Sequence, residues 1–359
     1  MANIYKNVFL INGINCMEDK LSTLLKSKGY LVADGAIGTN LFAMGLEIGA
    51  APDMWNISEE EKVFDLHSSF VKAGSDIITT NTFGANYYRL KLHKNENDVV
   101  EINKRGVQIA REVADAEVRP IIVAASIGPT GEIFEPVGEF SASEGKKVFA
   151  EQAVAQADAG ADVHWIETIS SAEELTAAVS GVSCTGLPIV FTMTFDTVGR
   201  TMMGLTAGSV VKLAGKLDAQ LKSQGMPGII AFGANCGVGP ATLIDTILGL
   251  TSETKVTDIV VAKGNCGIPV FQDGEIMYSG TPEIMATYAC LARDSGATII
   301  GGCCGTTANH VKAMTNALLN HKPGKKPELH TVESRLGRID TPAPSKDKGN
   351  RRRKRRHSI

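Results

Sequence analysis

Two cysteines lie side by side between glycines in Gly301-Gly302-Cys303-Cys304-Gly305, and a third lies upstream in Asn235-Cys236-Gly237. Three thiols gathered by a fold make a soft sulfur face suited to zinc, with one coordination position left over. Structural zinc is normally closed by four protein ligands, whereas a catalytic ion keeps one place for water or substrate. The flanking glycines let backbone and substrate approach where a side chain would block. The pattern points to chemistry on a substrate thiol bound at zinc. The competing account of Cys303-Cys304 is a buried small-residue pair or a vicinal disulfide, because cysteine is among the most buried residue types.

A scaffold must bring these distant thiols together, and the chain shows one. Apolar runs rich in β-branched residues recur at 31–33, 76–80, 121–125, 163–166, 188–192, 228–232, 259–262 and 297–300. Helical patterns separate them: Ser58 with Glu61 offers a capping box for a helix through Val63, Leu66 and Phe70, a second runs from Glu144 to Gly160, and Thr281-Pro282 opens a third. Continuously apolar strands between helices imply parallel pairing with both faces covered. Eight such units predict a (β/α)8 TIM barrel over residues 31–321, with a leading segment at 1–30. An open doubly wound sheet is the runner-up, but no Gly-x-Gly-x-x-Gly follows the first strand. From Lys322 to residue 359 the pattern fades into an extended arm, a candidate for contacts in a homo-oligomer, and a disordered basic tail.

Composition narrows the class. The 359 residues are 43% hydrophobic, enough for a large core. Residues 346–357 hold eight Lys/Arg against Asp347, about +7, which leaves the remainder near −10. A nucleic-acid-binding protein with structural zinc is thus an alternative from another class, but the tail has no interleaved aromatics and the acidic body would repel phosphate. No secretory signal or membrane span is evident, and seven cysteines without a secretion signal read as reduced thiols in the cytoplasm.

Catalytic groups of such barrels gather at the C-terminal strand ends. Asp34-Gly35 ends the first strand, Asn81 the second, Ser126 the third and Glu167 the fourth; Cys236, Asn265-Cys266 and Cys303-Cys304 end the last three. The sixth and eighth strands flank the seventh, so the three expected zinc ligands, Cys236, Cys303 and Cys304, become neighbours. Cys266 reads as a wall residue, and Cys16, Cys184 and Cys290 lack such a setting. Asp34 and Glu167 suit a substrate α-ammonium group, or else cap helices and pair with rim cations. Trp55 and Phe83, with Tyr87 and Tyr88 close behind, could form an aromatic box for a methylated onium, or simply pack loop against rim.

Together these residues resemble the zinc-dependent homocysteine S-methyltransferase family. Asp34-Gly35-Ala36, Thr80-Asn81-Thr82-Phe83, Ala125-Ser126-Ile127-Gly128-Pro129, Glu167-Thr168, Asn235-Cys236 and the Gly-Gly-Cys-Cys-Gly run carry the likeness, over about Leu31 to Leu319. Within the family the chain looks most like bacterial betaine–homocysteine methyltransferases. The resemblance implies that Cys236, Cys303 and Cys304 hold zinc and that homocysteine sulfur takes the fourth position. It implies that Asp34 and Glu167 bind the homocysteine amino group, and that glycine betaine donates a methyl to give methionine and dimethylglycine. The animal betaine enzymes carry tyrosine where this chain has Gly84 and Thr168. Dimethylsulfonio compounds, S-methylmethionine, or methylfolate and corrinoid delivered by partners are the alternative donors.

Overall fold

The computed structural model describes residues 19–196, 199–255, 257–267, 269–272 and 275–339, without the side chains of 269–272 and 275–277. Seven strands follow one another with helices between: β1 (Leu31–Val32), β2 (Ile77–Thr79), β3 (Ile122–Ile127), β4 (Val163–Ile169), β5 (Ile189–Met193), β6 (Ile229–Cys236) and β7 (Val260–Gly264). An antiparallel hairpin of β8 (Pro269–Gln272) and β9 (Glu275–Tyr278) precedes the last barrel strand, β10 (Ile299–Gly302). Strand β10 pairs in parallel with both β7 and β1, and a parallel bridge from Ala33 to Ile77 joins β1 to β2. The eight parallel strands thereby form a (β/α)8 barrel and not an open sheet.

The uniform apolarity of the strands has a direct cause. In β3, Ile122 and Ala124 join the cluster inside the barrel, whereas Val123 and Ala125 join the layer between strands and helices. Alternation by two therefore buries both faces. Helix Lys20–Lys28 supplies Leu21 and Leu25 to the inner cluster, so part of the leading segment closes the barrel interior. Asp19 starts that helix by accepting from the Ser22 N–H, and Gly29 ends it at φ 78°. Burying each leucine contributes about 1.5–3 kcal/mol.

Three local readings change. The helix expected to start at Ser58 begins at Glu60 without a side-chain cap, because Ser58 closes the short helix Trp55–Ser58 and donates instead to the Met54 carbonyl. The helix expected from Glu144 starts earlier, at Ala142, under a capping box of Ser141 and Glu144. The C-terminal arm is not wholly extended: Leu329–Leu336 is a helix whose Val332 is buried where it packs on helices Pro240–Glu253 and Pro282–Asp294. The basic tail at 346–357 lies outside the described residues. No helix among the described residues is long and apolar enough to cross a membrane.

Candidate active site

Cys236 is the last residue of β6, and Cys303 and Cys304 directly follow β10. Both strands pair with β7 in a register that sets Cys236 and Gly302 on either side of Gly264. Cys303 donates its N–H to the Gly264 carbonyl at 2.7 Å, which ties the start of the cysteine pair to β7. Cys236 sits at φ 62°, a left-handed conformation uncommon for a residue with a Cβ. Its Sγ lies 3.1 Å from Cys303 Sγ and 3.6 Å from Cys304 Sγ, and all three sulfurs fall within 4.8 Å of one another.

The neighbouring asparagines hold this geometry. Asn235 accepts from the Thr168 N–H at 2.9 Å and donates to Thr168 Oγ1 at 2.8 Å and towards Cys303 Sγ at 3.7 Å. Asn265 accepts from the Cys304 N–H at 3.0 Å and donates to the Gly237 carbonyl at 2.7 Å. The Tyr278 phenol, at the end of β9, donates to Cys304 sulfur. Its ring occupies the space beside Gly305, where an added Cβ would come within 2.3 Å.

Do these residues fit a metal? A tetrahedral zinc with Zn–S near 2.3 Å separates its sulfurs by about 3.8 Å, close to the spacing here. The protonation chemistry agrees. Hydrogen bonds from Cys236 and Cys303 pull Cys304 down to about 3, while the bonds to Cys303 and Cys304 hold Cys236 well above the usual thiol range. Alone, then, the trio carries one thiolate comfortably and resists a second. A divalent cation would relieve that repulsion and let all three ionise. The donor set fits zinc.

The sulfurs line a cavity of about 530 Å³ at the barrel mouth. Glu167, Ser126, Asn81, Gly35 and Phe83 line it too. Glu167 is 8% exposed and accepts from Ser126 Oγ at 2.5 Å. Burial pushes its carboxyl up to about 7, against the opposing pull of Lys263. The ionised form is therefore disfavoured by the fold. Stability contributed by the protonated group is complete below the unfolded value near 4.3 and is lost as pH rises towards 7. In the metal-free protein Glu167→Gln is expected to be more stable than the parent at pH 8, by about 2–3 kcal/mol, with little difference at pH 4. Urea midpoints at the two pH values check this; a gap that ignores pH would contradict it.

Other expected site residues stand elsewhere. Asp34 is fully buried and is not part of the cavity lining. Its carboxylate accepts from the Thr79 N–H at 2.6 Å, from Thr79 Oγ1 at 2.9 Å and from Lys263 Nζ at 2.9 Å. Asp34 thus answers a buried lysine directly, and any hold on a substrate ammonium passes through that pair. Asn81 lines the cavity, yet its amide donates to the Pro52 carbonyl at 2.8 Å and to Asn56 Oδ1 at 3.0 Å, so it fastens the loop after β1. Trp55 is 8% exposed and packs in the core with Lys62 Nζ 4.4 Å over its ring; it does not line the cavity. Tyr88 packs on Phe140 and Tyr87 on Tyr88, also away from the lining. The expected aromatic box thus reduces to Phe83 among those residues, because the apolar core claims Trp55. Cys266, whose Sγ donates to the Gly280 carbonyl, stays outside the sulfur trio, and Cys16 lies outside the described residues.

Lys263 is the residue that sequence reading missed. Burial alone would depress its ammonium, but the Asp34 and Glu167 carboxylates outweigh that and hold it above its ordinary range. Its signal was present: a lysine directly after the apolar run Ile259–Ala262, where a fully buried strand demands a partner for any charge. Asp53, a second buried acid lining the cavity, had no signal beyond its loop position.

A closed barrel with three sulfurs and a buried carboxylate at its mouth defines a class that sequence comparison also identifies. The profile described as Homocysteine S-methyltransferase matches residues 31–318, and the chain belongs to that family. It is 28% identical over 345 residues to the methionine synthase of Mycobacterium leprae (strain TN), covering 91% of this chain and 27% of that protein. The methionine synthase of Mycobacterium tuberculosis (strain ATCC 25618 / H37Rv) is 28% identical over 312 residues, 82% of this chain and 25% of that protein. The chain therefore spans about a quarter of the length of these relatives. In fold it is similar to the metallated form of the homocysteine methyltransferase MmuM from Escherichia coli, with TM-score 0.69, 22% identity, and coverage of 82% of this chain and 99% of that one.

Proposed function

We propose that this chain transfers a methyl group from an onium donor, glycine betaine, to the sulfur of homocysteine, giving methionine and dimethylglycine. The observation that carries the reading is the sulfur trio opening on a cavity that also presents Glu167. Zinc held by Cys236, Cys303 and Cys304 would supply a Lewis acid that takes a fourth sulfur and removes its proton near neutral pH. The MmuM structure that resembles this fold was determined in a metallated form.

The chain's own residues do the rest. Glu167, oriented by Ser126, accepts the homocysteine ammonium, and ion pairing there would return its carboxyl to the charged state. Lys263 offsets part of the negative charge that Asp34, Glu167 and the cysteines concentrate. Asn235 and Asn265 hold the two cysteine segments at fixed separation. The homocysteine sulfur attacks the donor methyl carbon in line; the S–C bond forms, the C–N bond breaks, and its electron pair stays on nitrogen. A neutral amine leaves, so no general acid is needed, and orientation supplies much of the rate.

The matched relatives, called methionine synthases, extend far beyond this barrel, and this favours a second reading in which a methylfolate or corrinoid partner brings the methyl group. One assay separates the two. Homocysteine is paired with glycine betaine, dimethylsulfoniopropionate, S-methylmethionine or methyltetrahydrofolate, and methionine is quantified. Turnover with glycine betaine is expected; turnover confined to the folate with added corrinoid protein would replace the first reading by the second.

A further inference from the structure

We propose that the Asp53 carboxylate is the wall of the cavity that recognises the positive head of the methyl donor, a role that rests on the onium reading above and sharpens it. Asp53 sits in the single turn Pro52–Met54, is 4% exposed, and lines the same cavity as the three cysteines. It accepts from the Gly84 N–H at 2.9 Å and from its own backbone N–H. Asn81 fastens the preceding carbonyl of Pro52, so the carboxylate is presented by a rigid loop. Arg89, which lines the same cavity, bears on it electrostatically but forms no ion pair with it among the described residues. A buried carboxylate held only by neutral backbone donors is costly unless a cation completes it.

The same contact fixes the carboxylate in place from the side of Gly84. A Cβ at Gly84 would come within 2.8 Å of Asp53 Oδ2, so the carboxylate occupies the space that any side chain at 84 would need. With Trp55 turned into the core, Phe83 and Asp53, which both line the cavity, would offer an onium a ring and an anion.

The kinetic signature follows. The donor's positive charge disappears as the methyl moves to sulfur, so an anion beside it strengthens the bound ground state more than the transition state. Asp53→Asn keeps an oxygen to accept the Gly84 N–H and removes only the charge. It should raise KM for glycine betaine by roughly ten- to a hundred-fold, with little loss of kcat and unchanged KM for homocysteine.

The deciding experiment is calorimetric titration of the zinc-containing protein, without homocysteine so that no methyl is transferred, with glycine betaine and with 3,3-dimethylbutyrate, the isostere in which a neutral carbon replaces the ammonium nitrogen. The parent should prefer glycine betaine by at least about tenfold, and Asp53→Asn should lose that preference while binding the isostere no more weakly than the parent does. Gly84→Ala, which crowds the carboxylate from its other side, should also weaken betaine binding and serves if Asp53→Asn does not fold. Charge preference that survives both substitutions, or a parent that binds no onium, overturns the inference. Methyl transfer measured alongside is a separate readout: a parent that binds betaine through Asp53 yet methylates no homocysteine sinks the proposed reaction and leaves the binding role standing.

Discussion

Cys304→Ala is expected to lose bound zinc and, with it, methyl transfer. The variant leaves two sulfurs where the spacing of three, 3.1 and 3.6 Å from Cys236, frames one ion. It also removes the thiol that ionises most readily, because Cys236 and Cys303 both donate to it. Disturbing groups that merely surround a metal site costs about 10–100-fold in affinity or activity, so loss of a ligand should exceed about 100-fold in both. Asn235→Ala, which removes the donor to Cys303 and the clamp on Thr168, should fall within the smaller range. Metal content after dialysis against a chelator, read together with turnover, checks both variants. Full zinc retention and full turnover in Cys304→Ala would defeat the metal assignment.

The second large effect concerns stability. Lys263→Met should destabilise the fold by about 3–5 kcal/mol, because it strands the fully buried Asp34 carboxylate without its cation. The neighbouring Glu167 would lose the same counter-charge and become still harder to ionise. Thr79 alone, with its N–H and hydroxyl, cannot neutralise Asp34. If the loss comes from the uncompensated charge and not from altered packing, adding Asp34→Asn to Lys263→Met should restore most of it. The double variant is then more stable than Lys263→Met by several kcal/mol, the sign expected for coupled neighbours. Urea denaturation of the two single variants and the double variant measures the coupling. Additive losses would show that the pair is not energetically joined.

The strands were legible because both of their faces are buried, which forces nearly every position to be apolar irrespective of which side chain points inward. Counting them predicts the barrel, and the barrel rule then predicts which polar residues reach the mouth. Ser126, Glu167 and the three cysteines lie there. Loops were less legible. The Trp55 segment shows an aromatic near the mouth, but whether the ring faces solvent, substrate or core depends on the neighbours, and Val63 and Phe70 belong to the cluster that claims it. The arm gives no clear helical signal at Leu329–Leu336 because eight residues carry little propensity; burial of Val332 against the barrel helices stabilises the helix there.

What the amino-acid order alone determined is the period-two burial that makes a barrel, and the placing of sulfur at the ends of β6 and β10, on either side of β7. What only the tertiary structure decided is how the charges pair inside. Asp34 and Lys263 are 229 positions apart and meet at 2.9 Å from strands on either side of β10, and Asp53 meets Gly84 across two loops. Local pattern reports which face a residue lies on, whereas the partner of a buried charge is set by what the closed ring brings opposite it.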